Sequence, residues 1–342
     1  MLSSLKKCLA VSLTTAALLQ MKKVLQLVTA AVLALTVVAA QAESMRVLTS
    51  WDQSFPPVGK VLNAYTDYLK KNVDGLNMPV SGPETIPPFE QFEPVSRGLF
   101  NVLFTSGAYH YTSLSIGMTL DTLKGDLDDW KEAGIIDYVD SEYQKLGMKL
   151  LGVFVDQAGY QVVLKEPLTG NALSGRKVRG SPSYLAALSK LGASPVILPG
   201  SEIYPALERG TVDGAAWPIM GTVSFRWHEV ADYLMRPSFG QVSYLVLVNL
   251  DTWNGLDEET RQQLEKATHA FEPMASDIFR EIVKDEVAAL QENGMQVTEL
   301  TAEQTETLRD GWFTGQMDLA ATTSPDQVAK LRSLASEAGL SY

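Results

Sequence analysis

Hydrophobic positions along this chain follow two periods in alternation. Short apolar runs bounded by Gly, Pro and polar residues read as strands: Arg46 to Ser50, Phe100 to Phe104, Lys149 to Phe154, Gln161 to Lys165, and Tyr244 to Asn249. Steps of three and four mark helices between them. Val61, Leu62, Tyr65 and Leu69 lie on one face of a helix from Val61 to Lys71, after a turn-rich loop from Trp51 to Gly59. Phe89 to Arg97 reads as a short helix ended by Gly98, and Asp121 to Tyr143 is polar and helical in character. The longest pattern runs from Asp257 to Gln291, with Leu264, Ala267, Phe271, Met274, Ile278 and Ile282 on one buried stripe. Pro273 is predicted to kink or divide that helix. Thr301-Ala-Glu-Gln304 is a capping box that opens another. Two runs of alternating strands and helices imply an α/β protein of two lobes.

The stretch Leu173 to Pro218 concentrates the chemistry. It reads strand, helix, strand, helix, strand, with Arg176, Lys177 and Arg179 at the first strand-to-helix turn. Gly180 frees the backbone there. Ser181-Pro182 is predicted to be an N-cap followed by Pro at the first helical position. A guanidinium beside a helix N-terminus offers a planar fork and free N–H groups, which suits a carboxylate.

Composition changes the picture at the N-terminus. Met21-Lys22-Lys23, the apolar Leu25 to Ala40 and Ala40-Gln41-Ala42 form a charged region, a hydrophobic region and an A-x-A cleavage site. Residues 1–42 are therefore read as a cleaved signal peptide, with Met21 the true start and a periplasmic destination. Removing that segment takes away four lysines and no acid, so the formal charge of -12 becomes -16. A chain so acidic is not expected to bind nucleic acid or an anionic membrane. An anionic ligand must then be held by local positive groups. The single cysteine, Cys8, lies in the signal segment, which excludes disulfides and thiol chemistry from the mature chain. A hydrophobic content of 46% and a mean hydropathy of +0.01 fit core-forming lobes rather than a disordered or polytopic chain.

Three motifs in register resemble the substrate-binding proteins of TRAP transporters (tripartite ATP-independent periplasmic transporters). They are Gly175-Arg-Lys-Val-Arg179, Leu191-Gly192-Ala193, and Tyr204-Pro-Ala-Leu207 through Gly210 to Asp213-Gly214. The resemblance implies a two-lobed periplasmic-binding-protein-like fold, with a hinge and a long helix spanning both lobes. One lobe would be 43–156 plus about 241–280, the other 157–240 plus about 281–342. It also places the carboxylate-binding arginine at Arg179. Thr49-Ser50-Trp51 and the runs from Leu198 to Leu207 and Asp213 to Trp217 are most similar to a 2-oxo acid and lactate branch. That branch implies Trp217 as a wall or carbonyl donor, Tyr109 as a hydroxyl contact, and a pocket glutamine at either Gln157 or Gln161. Trp51, after the first strand, is expected near the cleft. The branch often reads Asp-x-Ala-Glu-Trp, with Glu and Trp helping to hold a ligand-bridging metal. Here Ala216 stands in the Glu position, so a hard cation would lack one carboxylate and no cofactor is expected.

The implied function is a non-enzymatic receptor that captures a small carboxylate and delivers it to the TRAP permease subunits. The alternatives on the same scaffold are a periplasmic sensory adaptor or an enzyme. His110, His228 and His269 are scattered, and His228-Glu-Val-Ala-Asp232 lacks the second histidine of a zinc-protease motif. No paired acid and base groups point to catalysis.

Overall fold

The computed structural model describes residues 43–342; the predicted signal peptide and Cys8 lie outside the described residues. From Ser44 to Tyr342 the chain forms one compact unit built on two sheets. The first has five strands in the order β2-β1-β3-β10-β4: β1 is Val47–Thr49, β2 Val80–Ser81, β3 Val102–Thr105, β4 Met148–Asp156 and β10 Val242–Asn249. β1 runs parallel to β2 and β3, and β10 lies antiparallel between β3 and β4. The second has six strands, ordered β11-β9-β5-β8-β6-β7: β5 Tyr160–Leu164, β6 Lys177–Gly180, β7 Ser194–Ile197, β8 Gly214–Pro218, β9 Tyr233–Phe239 and β11 Gln296–Glu299. Within it β6, β7 and β8 are parallel neighbours, as the strand-helix pattern after Leu173 predicts.

The chain passes between the sheets three times: directly from β4 to β5, directly from β9 back to β10, and through the long helix that follows β10 to β11. The two direct crossovers touch. A Cβ on Gly159 would lie 2.3 Å from the carbonyl oxygen of Gly240 and 2.6 Å from that of Phe239, so only glycine fits. Asp121 ties this region together. Its carboxylate accepts from the Tyr160 hydroxyl (2.6 Å) and the Ser243 N–H (2.8 Å). Its carbonyl accepts from the Trp312 indole (3.3 Å).

Helix bounds follow local chemistry with instructive departures. The helix ending at Asn72 begins at Pro57, with a π-type turn Pro57–Leu62 running into α1, Asn63–Asn72. Pro56-Pro57 thus starts a helix where a loop is expected, because Pro lacks only an N–H that the first turn does not use. The polar stretch after Asp121 divides into α2 (Leu127–Glu132) and α3 (Ile135–Gln144) at Gly134, whose φ is +69°. Helices α4 (Leu185–Lys190) and α5 (Ile203–Glu208) connect the parallel strands. The predicted Ser181 cap is a departure: Pro182 does begin a short 3-10 turn before α4, but the Ser181 side chain makes no capping hydrogen bond.

Helix α6, Glu258–Glu292, has 35 residues and spans about 52 Å. It continues through Pro273 undivided. Its buried stripe is Leu264, Ala267, Phe271, Ala275, Phe279 and Ile282, while Met274 is 42% exposed and Ile278 only half-buried. The expected stripe is therefore wrong at those two positions, because Ala275 and Phe279 carry the contact one residue further on. The helix packs on α1 and β4 and, through Glu286, accepts from the Val223 N–H (2.8 Å) beyond β8. It thus reaches both sheets.

The capping box forms at α7, Ala302–Thr323: Thr301 Oγ1 accepts from the Gln304 N–H (3.2 Å), and Gln304 Oε1 from the Thr301 N–H (3.0 Å). Helix α7 packs on α4 beside the second sheet. The last helix, α8 (Pro325–Glu337), instead packs on α3 and the short helix Ile116–Thr119, beside the first sheet.

Candidate functional site

The carboxyl ends of parallel strands from both sheets meet at one cavity. Ligands collect at such ends in open α/β sheets because loops and side chains converge there. From the first sheet come Trp51 and Phe55 after β1, Ser106 and Tyr109 after β3, and Val242 and Tyr244 of β10. From the second come Tyr160, Ser181, Tyr184, Trp217 and Pro218. The free space these residues enclose is about 20 Å³, room for about one water molecule, so a larger ligand needs the two walls to move apart.

Arg179 stands behind this wall at the end of β6, fully buried. Its Nε donates to the Leu198 carbonyl (2.8 Å) and its Nη1 to the Ala216 carbonyl (3.0 Å). Both acceptors are neutral, and Nη2 has no partner among the described residues. The guanidinium lies 4.8 Å from the Trp217 ring centre, an arrangement favoured by the negative face of an indole. Strand register explains the pairing: Ala215 of β8 sits beside Arg179, so Trp217 follows at the same edge. A buried charge is costly unless matched, and here the cation's hydrogen-bond acceptors are two neutral carbonyls.

Trp51 and Tyr109 form the wall contributed by the first sheet, with Tyr109 close to the Arg179 guanidinium. The Trp51 indole N–H donates to the Tyr109 hydroxyl at 3.0 Å, and the rings lie 5.3 Å apart. Burial pushes the Tyr109 pKa up; the adjacent Arg179 cation and the Trp51 hydrogen bond partly offset it. Behind this wall Ser50 Oγ bridges Gln91 Oε1 (2.6 Å) and Thr105 Oγ1 (2.7 Å), which locks the ends of β1 and β3 together. Phe55 packs edge-on against Trp217 at 5.4 Å, so an aromatic contact joins the two sides.

Of the residues expected at the site, Arg179, Trp217, Tyr109 and Trp51 come together. The two glutamines do not join them. Gln157 is exposed and lines a separate groove with Phe279 and Val283 of α6, because it follows β4 on the outer side of the crossover. Gln161 is buried, but its amide is engaged elsewhere: Nε2 donates to the Ile219 carbonyl (3.2 Å) and Thr222 Oγ1 (3.3 Å), and Oε1 accepts from Arg236 (3.0 Å). Sequence reasoning missed Phe55, Tyr160, Tyr184 and Tyr244. The available signal was position, since each aromatic stands in or just beyond a strand or turn facing the crossover. His110 lies apart from the cavity, bonded to the Tyr143 hydroxyl at 2.7 Å. Ala216 offers only its carbonyl, which already accepts from Arg179, and no residue lining the cavity is acidic. The donor set therefore fits an anion better than a hard cation.

Comparison with known proteins agrees with this geometry. The profile of the bacterial extracellular solute-binding proteins, family 7, matches residues 125–312, more than half of the chain. The chain is 32% identical over 129 residues to the C4-dicarboxylate-binding periplasmic protein of Rhodobacter capsulatus, covering 37% of this chain and 39% of that protein. It is 25% identical over 242 residues to a monocarboxylate 2-oxoacid-binding periplasmic protein of Nostoc sp., covering 65% and 64%. The chain thus spans between about two fifths and two thirds of the lengths of these relatives. A TRAP periplasmic solute-binding protein from Desulfovibrio salexigens, solved with orotic acid, shares the fold with a TM-score of 0.77 at 19% identity, over 86% of this chain and 98% of that one. With its motifs, its two-sheet fold and more than half of its length in agreement, the chain belongs to family 7 of the bacterial extracellular solute-binding proteins, the DctP family of TRAP receptors.

Proposed function

We propose that this chain is a periplasmic receptor that captures a small carboxylate between its two lobes and hands it to the membrane permease of a TRAP transporter. Members of the family bind solutes rather than transform them. The observation that carries the ligand class is Arg179: a fully buried guanidinium beside the cavity, with two neutral carbonyl acceptors and Nη2 unpartnered. Closure of the lobes would remove the bound carboxylate from water, where a charge-assisted hydrogen bond is strongest. Trp217, Tyr109 and Trp51 supply the walls. No metal takes part in this reading, because Ala216 contributes no carboxylate and its carbonyl is engaged by Arg179.

Thermal unfolding of the purified protein against 2-oxo acids, hydroxy acids, dicarboxylates and sugar acids, with calcium and with a chelator, tests this reading. Ligand at about 100 times its dissociation constant raises stability by about 2.7 kcal/mol, a shift of several degrees. A shift for an acid that survives chelation and is absent in Arg179→Leu is expected. A shift that Arg179→Leu retains in full would overturn the carboxylate clamp, and a shift that needs calcium would overturn the metal-free site.

A further inference from the structure

Among the described residues, the ring-to-ring contacts between the first-sheet wall of the cavity and the second-sheet side both run through Phe55. It stacks on Phe225 at 5.7 Å, with the planes 16° apart, and meets Trp217 edge-on at 5.4 Å. On its own side the fully buried Phe55 rests against Trp51 (5.5 Å) and Tyr244 (6.3 Å). Phe225 is half-buried in the loop after β8, where Trp227 stacks on it at 5.4 Å. Backbone bonds preset that loop. The Phe225 N–H donates to the Gly221 carbonyl and the Trp227 N–H to the Thr222 carbonyl, both at 2.9 Å, and Glu286 of α6 accepts from the Val223 N–H. Gly221 gives both rings room: its φ is +105°, and a Cβ there would lie 3.1 Å from the Phe55 ring and 3.2 Å from the Phe225 ring.

Resting on the reading of the chain as a two-lobed receptor, we infer that Phe55 and Phe225, seated against Gly221, form an aromatic latch that holds the two walls of the site together. A ligand larger than a water molecule enters the 20 Å³ between them only when they separate. Separation must break the contacts of Phe55 with Phe225 and Trp217, because these rings are carried by different sheets. Aromatic pairs are favourable beyond the area they bury. A contact made only in the closed arrangement biases the hinge towards closure by its whole worth. Phe225 is the cleaner probe of this bias, since Trp217 lines the cavity and also lies over the Arg179 guanidinium, whereas Phe225 does neither.

Pulsed electron resonance between two spin labels tests the latch. Residues 43–342 contain no cysteine, so Thr112→Cys and Ser201→Cys, at exposed positions past the ends of β3 and β7, can be labelled alone. The label distances report closed and open populations with no ligand added, so a failed carboxylate clamp leaves the measurement intact. Phe225→Ala is expected to lower the ratio of the shorter to the longer distance about tenfold, and Phe55→Ala at least as much. Adding Phe225→Ala to Phe55→Ala should change the ratio by less than about twofold, because the shared contact is already gone. Phe225→Leu keeps apolar bulk in the loop and reads the same coupling should the alanine variant unfold. If the wild type shows both distances and Phe225→Ala leaves their ratio unchanged, or shifts it equally with and without Phe55, the latch fails and the receptor reading stands. A single distance in wild type and every variant would mean that the walls do not part, and both would fall.

Discussion

The cavity and the crossovers behind it bury opposite charges in opposite ways. Beside the cavity a guanidinium is enclosed with two neutral carbonyl acceptors and one nitrogen without a partner among the described residues. At the crossovers two carboxylates are enclosed without a cation. Asp121 is satisfied by Tyr160 and Ser243, while Asp156 accepts only from the Ala158 N–H (2.9 Å) and leaves Oδ2 unpartnered. Burial pushes both carboxyl groups up to about 7. A protein can relieve a buried carboxylate by protonating it, whereas a guanidinium has no such escape near neutral pH. The crossover carboxylates can thus meet burial by taking up a proton, whereas the guanidinium beside the cavity keeps its charge.

The sharpest way to break this contrast is Arg179→Leu. Binding of the cognate acid should fall by at least about 100-fold, or ~2.7 kcal/mol, as measured by calorimetry. The unliganded melting temperature should move by only a few degrees, because the variant removes a buried charge as well as two hydrogen bonds. A collapse of the fold would instead mean that Arg179 is structural.

Gly240→Ala tests the crossover with a somewhat smaller effect. The residue has φ +67°, and a Cβ there would lie 2.5 Å from the Trp312 indole. A loss of about 2–4 kcal/mol is expected in urea unfolding, from clash and backbone strain together. Unchanged stability would show that the crossing segments have slack.

Asp156→Asn isolates the carboxylate contribution. A carboxyl group whose pKa is 3.8 unfolded and about 7 folded binds more protons in the folded state between those values. Its contribution is therefore fully present below about pH 4 and lost as pH rises towards 7. Relative to wild type, the asparagine variant should gain stability steadily across that window and hold the gain above it. A difference that is flat with pH would place the ordinary carboxyl pKa at Asp156.

The smallest expected effect is at the wall from the first sheet, at Trp51. Trp51→Phe removes the 3.0 Å hydrogen bond to Tyr109 and keeps most of the ring packing. About 1 kcal/mol of stability should be lost, with ligand affinity changed only severalfold. An affinity loss rivalling that of Arg179→Leu would make Trp51 a direct ligand contact rather than a support for Tyr109.

Much of this molecule was legible from local pattern. The parallel β6-α4-β7-α5-β8 unit, the arginine at the end of its first strand, the capping box at Thr301 and the long helix after Asp257 all follow from residues within a few positions of one another. Local backbone preference and helical periodicity act over just that range. The tertiary structure decided the rest. Gln157 and Gln161 stand either side of the first crossover, yet one faces solvent and the other is held by Ile219, Thr222 and Arg236. Met274 is exposed because Ala275 and Phe279 meet the neighbouring elements instead. Phe55, Tyr109, Tyr160, Tyr184, Trp217 and Tyr244 enclose one cavity although they come from separate segments. The sequence alone determined the elements with a strong local signature, such as the long helix, the capping box and the strand-helix unit after Leu173, since those depend on neighbours in the chain. Which aromatic faces the ligand, and which polar group is left without a partner, depends on contacts tens to hundreds of residues apart, and only the packed molecule settles those.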